Sequence, residues 1–338
     1  MTNRFVSRRR MLEMAALGGV ALNSGVASAF AQPAVKPHIE QMDPALDKIL
    51  STSEPIRVLA EGYGGDRGQA EGPVWWKDDG GYLLFSDIDK ARRIKYAPGQ
   101  GVSVFRENTN RANGLTRDMQ GRLVACEADA KRVTRFEPDG SVTVVASSFQ
   151  GKQFGRPNDV VVKSVGAIYF TDPQGGASGN SWEVTGPGVY RVSPDLGAMW
   201  LLTGDLLTPN GLAFSPDESV LYIADSRRRH IRAFDLLPNG TLALQTDRVF
   251  VDLNGAEPGV PDGIKVDIAG NVYSGGSGGL WIIDAKGKKL GRIVHGGQNT
   301  TNMAFGGADW KTLYFTSRNF LGAVNLRIAG LPVPARKA

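Results

Sequence analysis

From about Ile56 to Leu326 the apolar residues come in short Val, Ile, Tyr and Phe runs broken by Gly, Pro, Asp and Asn, and no long amphipathic stretch interrupts them. That is the pattern of an all-β chain. In "RPNDVVV", Arg156 to Val162, three β-branched valines read as a strand buried on both faces. Pro157 holds Arg156 extended and has no N–H for a ladder, so the strand is expected to begin just after it, with the polar Asn158 at its mouth.

The same form recurs. "PNDVVVKSVGAIYFTDP" at 157 aligns with "PNGLAFSPDESVLYIADS" at 209 and "PDGIKVDIAGNVYSGG" at 261. So do "AEGPVWWKDDGGYLLFSDID" at 70, "ANGLTRDMQGRLVACEAD" at 112 and "TNMAFGGADWKTLYFTSRN" at 301. Each unit has a polar head, a short apolar strand, a Gly/Asp turn and a second strand, and most add a third and fourth. The heads Glu71, Asn113, Asn158, Asn210, Asp262 and Asn302 lie 42, 45, 52, 52 and 40 residues apart. A four-stranded repeat of that period predicts a β-propeller, here with six antiparallel blades over residues 54–328. The last unit is a strand short, and "EPIRVLAEG" at 54–62 is a spare strand. It is expected to supply the outer strand of the sixth blade and close the ring.

In a propeller the innermost strand of each blade lines a central channel, so equivalent positions in the repeats share one height. The six heads therefore predict a ring of two carboxylates and four amides at one mouth. Taken singly, each head is explained by turn capping; taken together, a Glu and an Asp in place of Asn at two heads are not, since glutamate is a poor turn residue. A set of oxygens with a charge near −2 suits a hard divalent cation, and calcium tolerates irregular geometry better than magnesium does.

Charge and composition narrow the function. Residues 1–31 carry four arginines against one glutamate, which leaves only +2 of the net +5 to the rest of the chain. That gives no case for nucleic acid, and "RRRH" at 227–230 reads as a solvated loop. Cys126 is the only cysteine and falls in an apolar strand pattern, so it reads as a buried small side chain. The three histidines, His38, His230 and His295, leave little room for a histidine-based triad or zinc site. "GGSGG" at 275–279 fits the nucleophile-elbow spacing but lies between two β runs, and is read as a turn.

The first 31 residues have a basic n-region, a short apolar run and small residues at A-x-A sites, the layout of an export signal cleaved after Ala29 or Ala31. Arg8 and Arg9, with Met11 and Leu12 after them, resemble the twin-arginine type, which implies the Tat export machinery as a partner and a periplasmic or secreted protein. Residues 32–53 read as an N-terminal linker and 329–338 as a C-terminal tail. No apolar stretch is long enough to give the mature protein a membrane span.

The motifs "AEGPVWW", "NGLTRDMQGRLVACE", "RPNDVVV…IYFTDP", "PNGLAFSPDESVLYIADS" and "PDGIKVD", in that order, resemble those of the gluconolactonase / senescence-marker-protein-30 family. The resemblance covers nearly the whole mature chain. It implies a calcium-dependent lactone hydrolase acting on small sugar lactones such as gluconolactone. It also implies calcium ligands at Glu71, Asn158, Asn210 and Asp262, with Asp262 as proton acceptor and donor. Chemistry agrees with that assignment: a cation with open positions can polarise the lactone carbonyl, and a carboxylate beside it can take a proton from water. Attack by the carboxylate itself is the other route.

Arg156, two residues before Asn158, is expected to face the same mouth and bind a sugar hydroxyl or carboxylate. Asn113 and Asn302 read as substrate-binding walls. Asp172 and Asp225 end second strands and read either as ring neighbours or as turn residues. The Gly/Ser-rich stretch 173–188 is long for a strand connection and is expected to fold over the mouth as a lid. Two alternatives use the same ring: hydrolysis of other esters or phosphotriesters, and non-catalytic ligand binding with calcium as a structural staple.

Overall fold

The β runs form strands that pair in sequence order into six antiparallel four-stranded blades, giving a six-bladed β-propeller. The computed structural model describes residues 36–65, 68–78, 80–173, 185–296 and 299–334. Blade 1 comprises Ala70–Trp76, Tyr82–Asp87, Arg92–Ala97 and Gly101–Arg106, and blades 2 to 4 repeat this order. Burial falls from the axis outwards. Second strands such as Leu123–Glu127 and Ile168–Asp172 are buried at every position, whereas the outer strand Gly101–Arg106 is exposed at every position. Second strands have apolar residues on both faces because each packs against the neighbouring blade on either side. Between blades 2 and 3, for example, Phe154 meets Phe170 edge-on while Phe170 stacks on Tyr190, each pair with ring centroids 5.2 Å apart.

The inner strands are the ones that position the site. The strand after Pro157 is Val160–Val162, and its pattern differs from the expectation: Val160 and Val162 are buried but Val161 is only half-buried. An inner strand has a second blade face on one side only; its other side is the channel.

Side-chain and backbone bonds lace the inner strands at the level of the heads, one at each junction. Ser86 donates to the carbonyl of Asn113 at 2.7 Å, the Gly114 N–H to that of Asn158 at 2.8 Å, and Thr171 to that of Asn210 at 2.7 Å. The Gly211 N–H donates to the Asp262 carbonyl at 3.1 Å and the Gly263 N–H to that of Thr301 at 2.7 Å. Thr301 completes the circuit by donating to the Ala70 carbonyl at 2.6 Å. Glycine follows four of the six heads because the strands come this close. A Cβ built on Gly72 or Gly211 would lie 2.2 Å from the carbonyl oxygen of the next blade's head.

The spare strand closes the ring as expected: Arg57–Glu61 pairs antiparallel with Phe320–Ala323 and is the outer strand of blade 6. The stretch read as a linker, 32–53, does more than link over its described residues. His38–Gln41 adds a fifth strand to blade 5, and a short 3-10 turn at Pro44–Lys48 follows. Ile39, Leu46, Ile49 and Leu50 are buried with Tyr273, Met303 and Phe315 between blades 5 and 6. Arg292, half-buried on the adjacent strand, fixes Glu40 with bonds of 2.5 and 3.2 Å. At the other end of the chain Leu331 donates its N–H to Val266, and Leu331–Pro334 lies across the channel mouth opposite the heads. No helix among the described residues is long and apolar enough to cross a membrane. Cys126 is free and buried in its strand, and "GGSGG" is the turn between Val272–Gly276 and Gly279–Ile283.

Candidate functional site

Short polar side chains at the start of six inner strands leave little choice of direction, and their bonds converge. Glu71, 1% exposed, accepts the Gly72 N–H at 2.7 Å and the Asn302 amide at 3.2 Å on the same carboxylate oxygen. The Asn302 amide also reaches Asp159 Oδ2 at 3.3 Å, so a residue of blade 6 bridges acids from blades 1 and 3. Asn210 donates to Ser226 at 3.1 Å and, beside Asp262, pulls that acid's pKa down. Asp262 is 4% exposed, and its Oδ1 is buried with no hydrogen-bond partner. Asn113 Oδ1 is in the same condition.

Burial and neighbouring like charge raise the pKa values in this cluster. Burial, then repulsion from Asp159, pushes Glu71 up to about 7. Burial, then Glu71 and Asp159, pushes Asp262 well above the usual carboxylate range, against the pull of Asn210. Asp159 is raised by burial and pulled back chiefly by Lys265. Three carboxylates are thus buried together with more negative charge than the protein's own groups balance.

That state is the test of whether a cation fits here. The donors are oxygens only, the cluster has surplus negative charge, and two buried oxygens lack partners; each feature suits a hard divalent ion. Among the described residues, no group of three or more His, Cys, Asp or Glu side chains is arranged to hold a metal by itself. A site here therefore relies on amide oxygens beside the carboxylates, which is what the heads supply.

Of the sequence-derived residues, Glu71, Asn210, Asp262 and Asn302 are joined by hydrogen bonds or mutual repulsion. Asn113 and Asn158 belong to the same ring through their carbonyls. The Asn158 side chain is half-buried and makes no hydrogen bond among the described residues, which leaves its oxygen available. Arg156 is half-buried, and its backbone N–H donates to Asp172 at 2.6 Å. The proposed lid falls largely on residues 174–184, outside the described residues.

Asp172 and Asp225 are neither ring members nor simple turn residues. Asp172 accepts the N–H groups of Gly155 and Arg156 at 2.7 and 2.6 Å, and Asp225 those of Leu207 and Thr208 at 2.9 and 3.1 Å. Each buried carboxylate clamps the loop that delivers the head of its own blade, Asn158 or Asn210. Asp87 holds Gly64, ahead of Glu71, in the same way at 3.0 Å.

Two members of the site were not among the sequence candidates. Asp159 occupies the position that is glycine after four other heads, and that departure was a readable signal. Lys265, on the inner strand Ile264–Val266, donates to Asn302 Oδ1 at 3.2 Å. Nothing in the repeat marks it, since inner-strand residues beyond the head vary.

Residues 69–319 match the family described as SMP-30/Gluconolactonase/LRE-like region. A gluconolactonase of Zymomonas mobilis is 33% identical over 318 residues, covering 86% of this chain and 87% of that protein. The structure of XC5397 from Xanthomonas campestris, described as a gluconolactonase, superimposes with a TM-score of 0.75 at 30% identity, over 88% of this chain and 99% of that one. Regucalcin of Agrobacterium tumefaciens, described as a calcium-binding protein, shares the fold with a TM-score of 0.68 at 20% identity, over 84% of this chain and 98% of that one.

Proposed function

The chain belongs to the SMP-30/gluconolactonase/LRE-like family and is a lactone hydrolase, and we propose that it opens small sugar lactones such as gluconolactone at a calcium ion held by Glu71, Asn158, Asn210 and Asp262. The observation that carries this reading is the buried, charge-rich cluster with the unpartnered Asp262 Oδ1 at its centre. A bound cation supplies Lewis acidity and charge stabilisation for the oxygen of the lactone carbonyl.

The chain's own residues do the rest. Asp262 takes a proton from the attacking water on its free Oδ1 and returns it to the alkoxide released when the ring C–O bond breaks. Asn210, held by Ser226 beside that carboxylate, favours its ionised form. Glu71 is held in place by the Gly72 N–H and Asn302. Asn113 and Arg156 line the approach and bind the hydroxyls of the sugar, while the Asn302 amide is taken up by Glu71, Asp159 and Lys265 within the ring.

Metal analysis of the purified protein is expected to return calcium. The chelated enzyme is expected to be inactive on gluconolactone and to recover with calcium ahead of magnesium, manganese or zinc. Full turnover in chelator would end the metal reading. The same reading places the protein outside the cytoplasm through residues 1–31. Replacing Arg8 and Arg9 with lysine is expected to abolish export, and normal periplasmic accumulation of that variant would assign the signal to the Sec route.

A further inference from the structure

We propose that Lys265 is a permanent cation built into the site, a positioning residue that orients Asn302 across Glu71 and Asp159 and limits how tightly the ring takes a divalent ion. The proposal deepens the calcium reading and rests on it for its metal-binding arm.

The geometry starts on the inner strand of blade 5. Lys265 lies three residues beyond Asp262, and its Nζ donates to the carbonyl of Ile264 at 3.0 Å and to Asn302 Oδ1 at 3.2 Å. Asn302 Oδ1 also accepts the Met303 N–H at 2.8 Å. With its oxygen held by two donors, the Asn302 amide presents its NH2 to Glu71 Oε2 and Asp159 Oδ2. A flipped amide would set oxygen against two carboxylates and NH2 against an ammonium, so the lysine fixes the orientation. Space for this arrangement is made by Gly263, where a Cβ would lie 2.1 Å from Asn302 Cγ.

The surroundings make the charge count. On the side away from the heads the channel holds a cavity of about 140 Å³, lined largely by apolar groups such as Leu115, Val160, Phe214 and Phe305 and closed by Leu331–Pro334. A cation bordering that space is poorly screened, and its effect reaches both neighbouring acids: Lys265 lowers the pKa values of Asp159 and Glu71 against the burial that raises them. Three carboxylates and one ammonium leave a net −2 for an incoming ion; without the lysine it would meet −3.

The test uses the full chain, stripped with chelator, with calcium chloride as the probe. Lys265→Met and Lys265→Gln are both expected to lower the calcium Kd by about tenfold or more, because the repulsion is gone, and to melt earlier than wild type in chelator but not at saturating calcium. Lys265→Arg, which keeps the charge, is expected to stay near wild type. Asp159→Asn is expected to weaken calcium binding, and the double variant Lys265→Met/Asp159→Asn to return towards the wild-type Kd. A merely structural lysine would lower the melting temperature equally with and without calcium and leave Kd unchanged, and that result overturns the proposal. The chelated proteins give a separate reading. If wild type takes up no divalent ion the calcium reading fails, while non-additive stability of the two single variants in chelator still supports the coupling of Lys265 to Asp159 through Asn302 and additive losses overturn it.

Discussion

The proposed mechanism asks Asp262 to be both a ligand and a proton carrier, and its surroundings suit both roles. Burial and two neighbouring acids raise its affinity for a proton, while one oxygen is left without a partner. Asp262→Asn keeps the size and the hydrogen-bonding reach but cannot cycle a proton. It is expected to fold, to keep part of its calcium binding and to lose about 10²–10⁴-fold in turnover; unchanged kcat would remove Asp262 from the chemistry. The same group leaves a mark on stability. In chelator the folded protein holds protons on Glu71 and Asp262 at pH values where the unfolded chain has released them. Stability from these groups is therefore present below about pH 4.5 and is lost as pH rises through about 7, where Glu71 ionises. The melting temperature of Asp262→Asn is expected to fall less steeply over that range. Most of this cluster was legible, because Glu71 and Asp262 interrupt a run of asparagines at one repeat position. Asp159 was hidden by its neighbour: in "RPND" the asparagine fits the repeat and draws attention from the acid beside it. Lys265 could not be read at all, since its role depends on which blade faces which across the channel.

At the scale of one element, the aspartate ending a second strand turns a sequence repeat into a positioned site. Asp172 and Asp225 are fully buried, and each accepts two backbone N–H groups from the loop ahead of a head residue. Removing the carboxylate strands those donors at a cost of about 1–3 kcal/mol each. Asp172→Ala and Asp225→Ala are each expected to melt several degrees below wild type and to bind calcium less tightly, because Asn158 or Asn210 loses its fixed approach. If either variant melts earlier yet binds calcium with wild-type affinity, the clamp serves stability alone. The sequence left these two acids between ring and turn because their partners are 16 to 18 residues back in the chain. A bond that crosses from the second strand to the start of the first has no local signature. The strands themselves were legible from alternation and turn residues, and so was their order within each blade. Within the inner strand after Pro157, the one-sided exposure of Val161 departed from the pattern, because a channel replaces a packing partner there.

Over the whole molecule the ring has one seam that the covalent chain does not cross, and the two ends of the fold meet at it. Arg57–Glu61 pairs with the last blade, Thr301 bonds the carbonyl ahead of Glu71, and residues 38–50 fill the groove between blades 5 and 6. The closing strand was legible because blade 6 was one strand short. The packing of residues 38–50 was not, since one four-residue strand and a 3-10 turn carry too little pattern to distinguish them from a linker. These two layers make separable predictions. A chain starting at Lys36 keeps both and is expected to unfold in one cooperative step. A chain starting at Thr52 loses the burial of Ile39, Leu46, Ile49 and Leu50, each worth about 1.5–3 kcal/mol before the entropy of ordering them is subtracted. It is expected to melt at a lower temperature, still in one step, with calcium affinity retained. A chain starting at Gly62 lacks the closing strand and leaves the edge of blade 6 unpaired, and Ala70 and Glu71 follow directly on the loosened seam. Its ring is expected to open, with blade loss by fluorescence preceding loss of strand content by circular dichroism, and calcium affinity to collapse because Glu71 and Asn302 face each other across the junction of blades 1 and 6 that the closing strand anchors. Wild-type calcium affinity in the last chain would show that the site is held by the lacing of the heads alone, and that closure by the outer strand contributes only to stability.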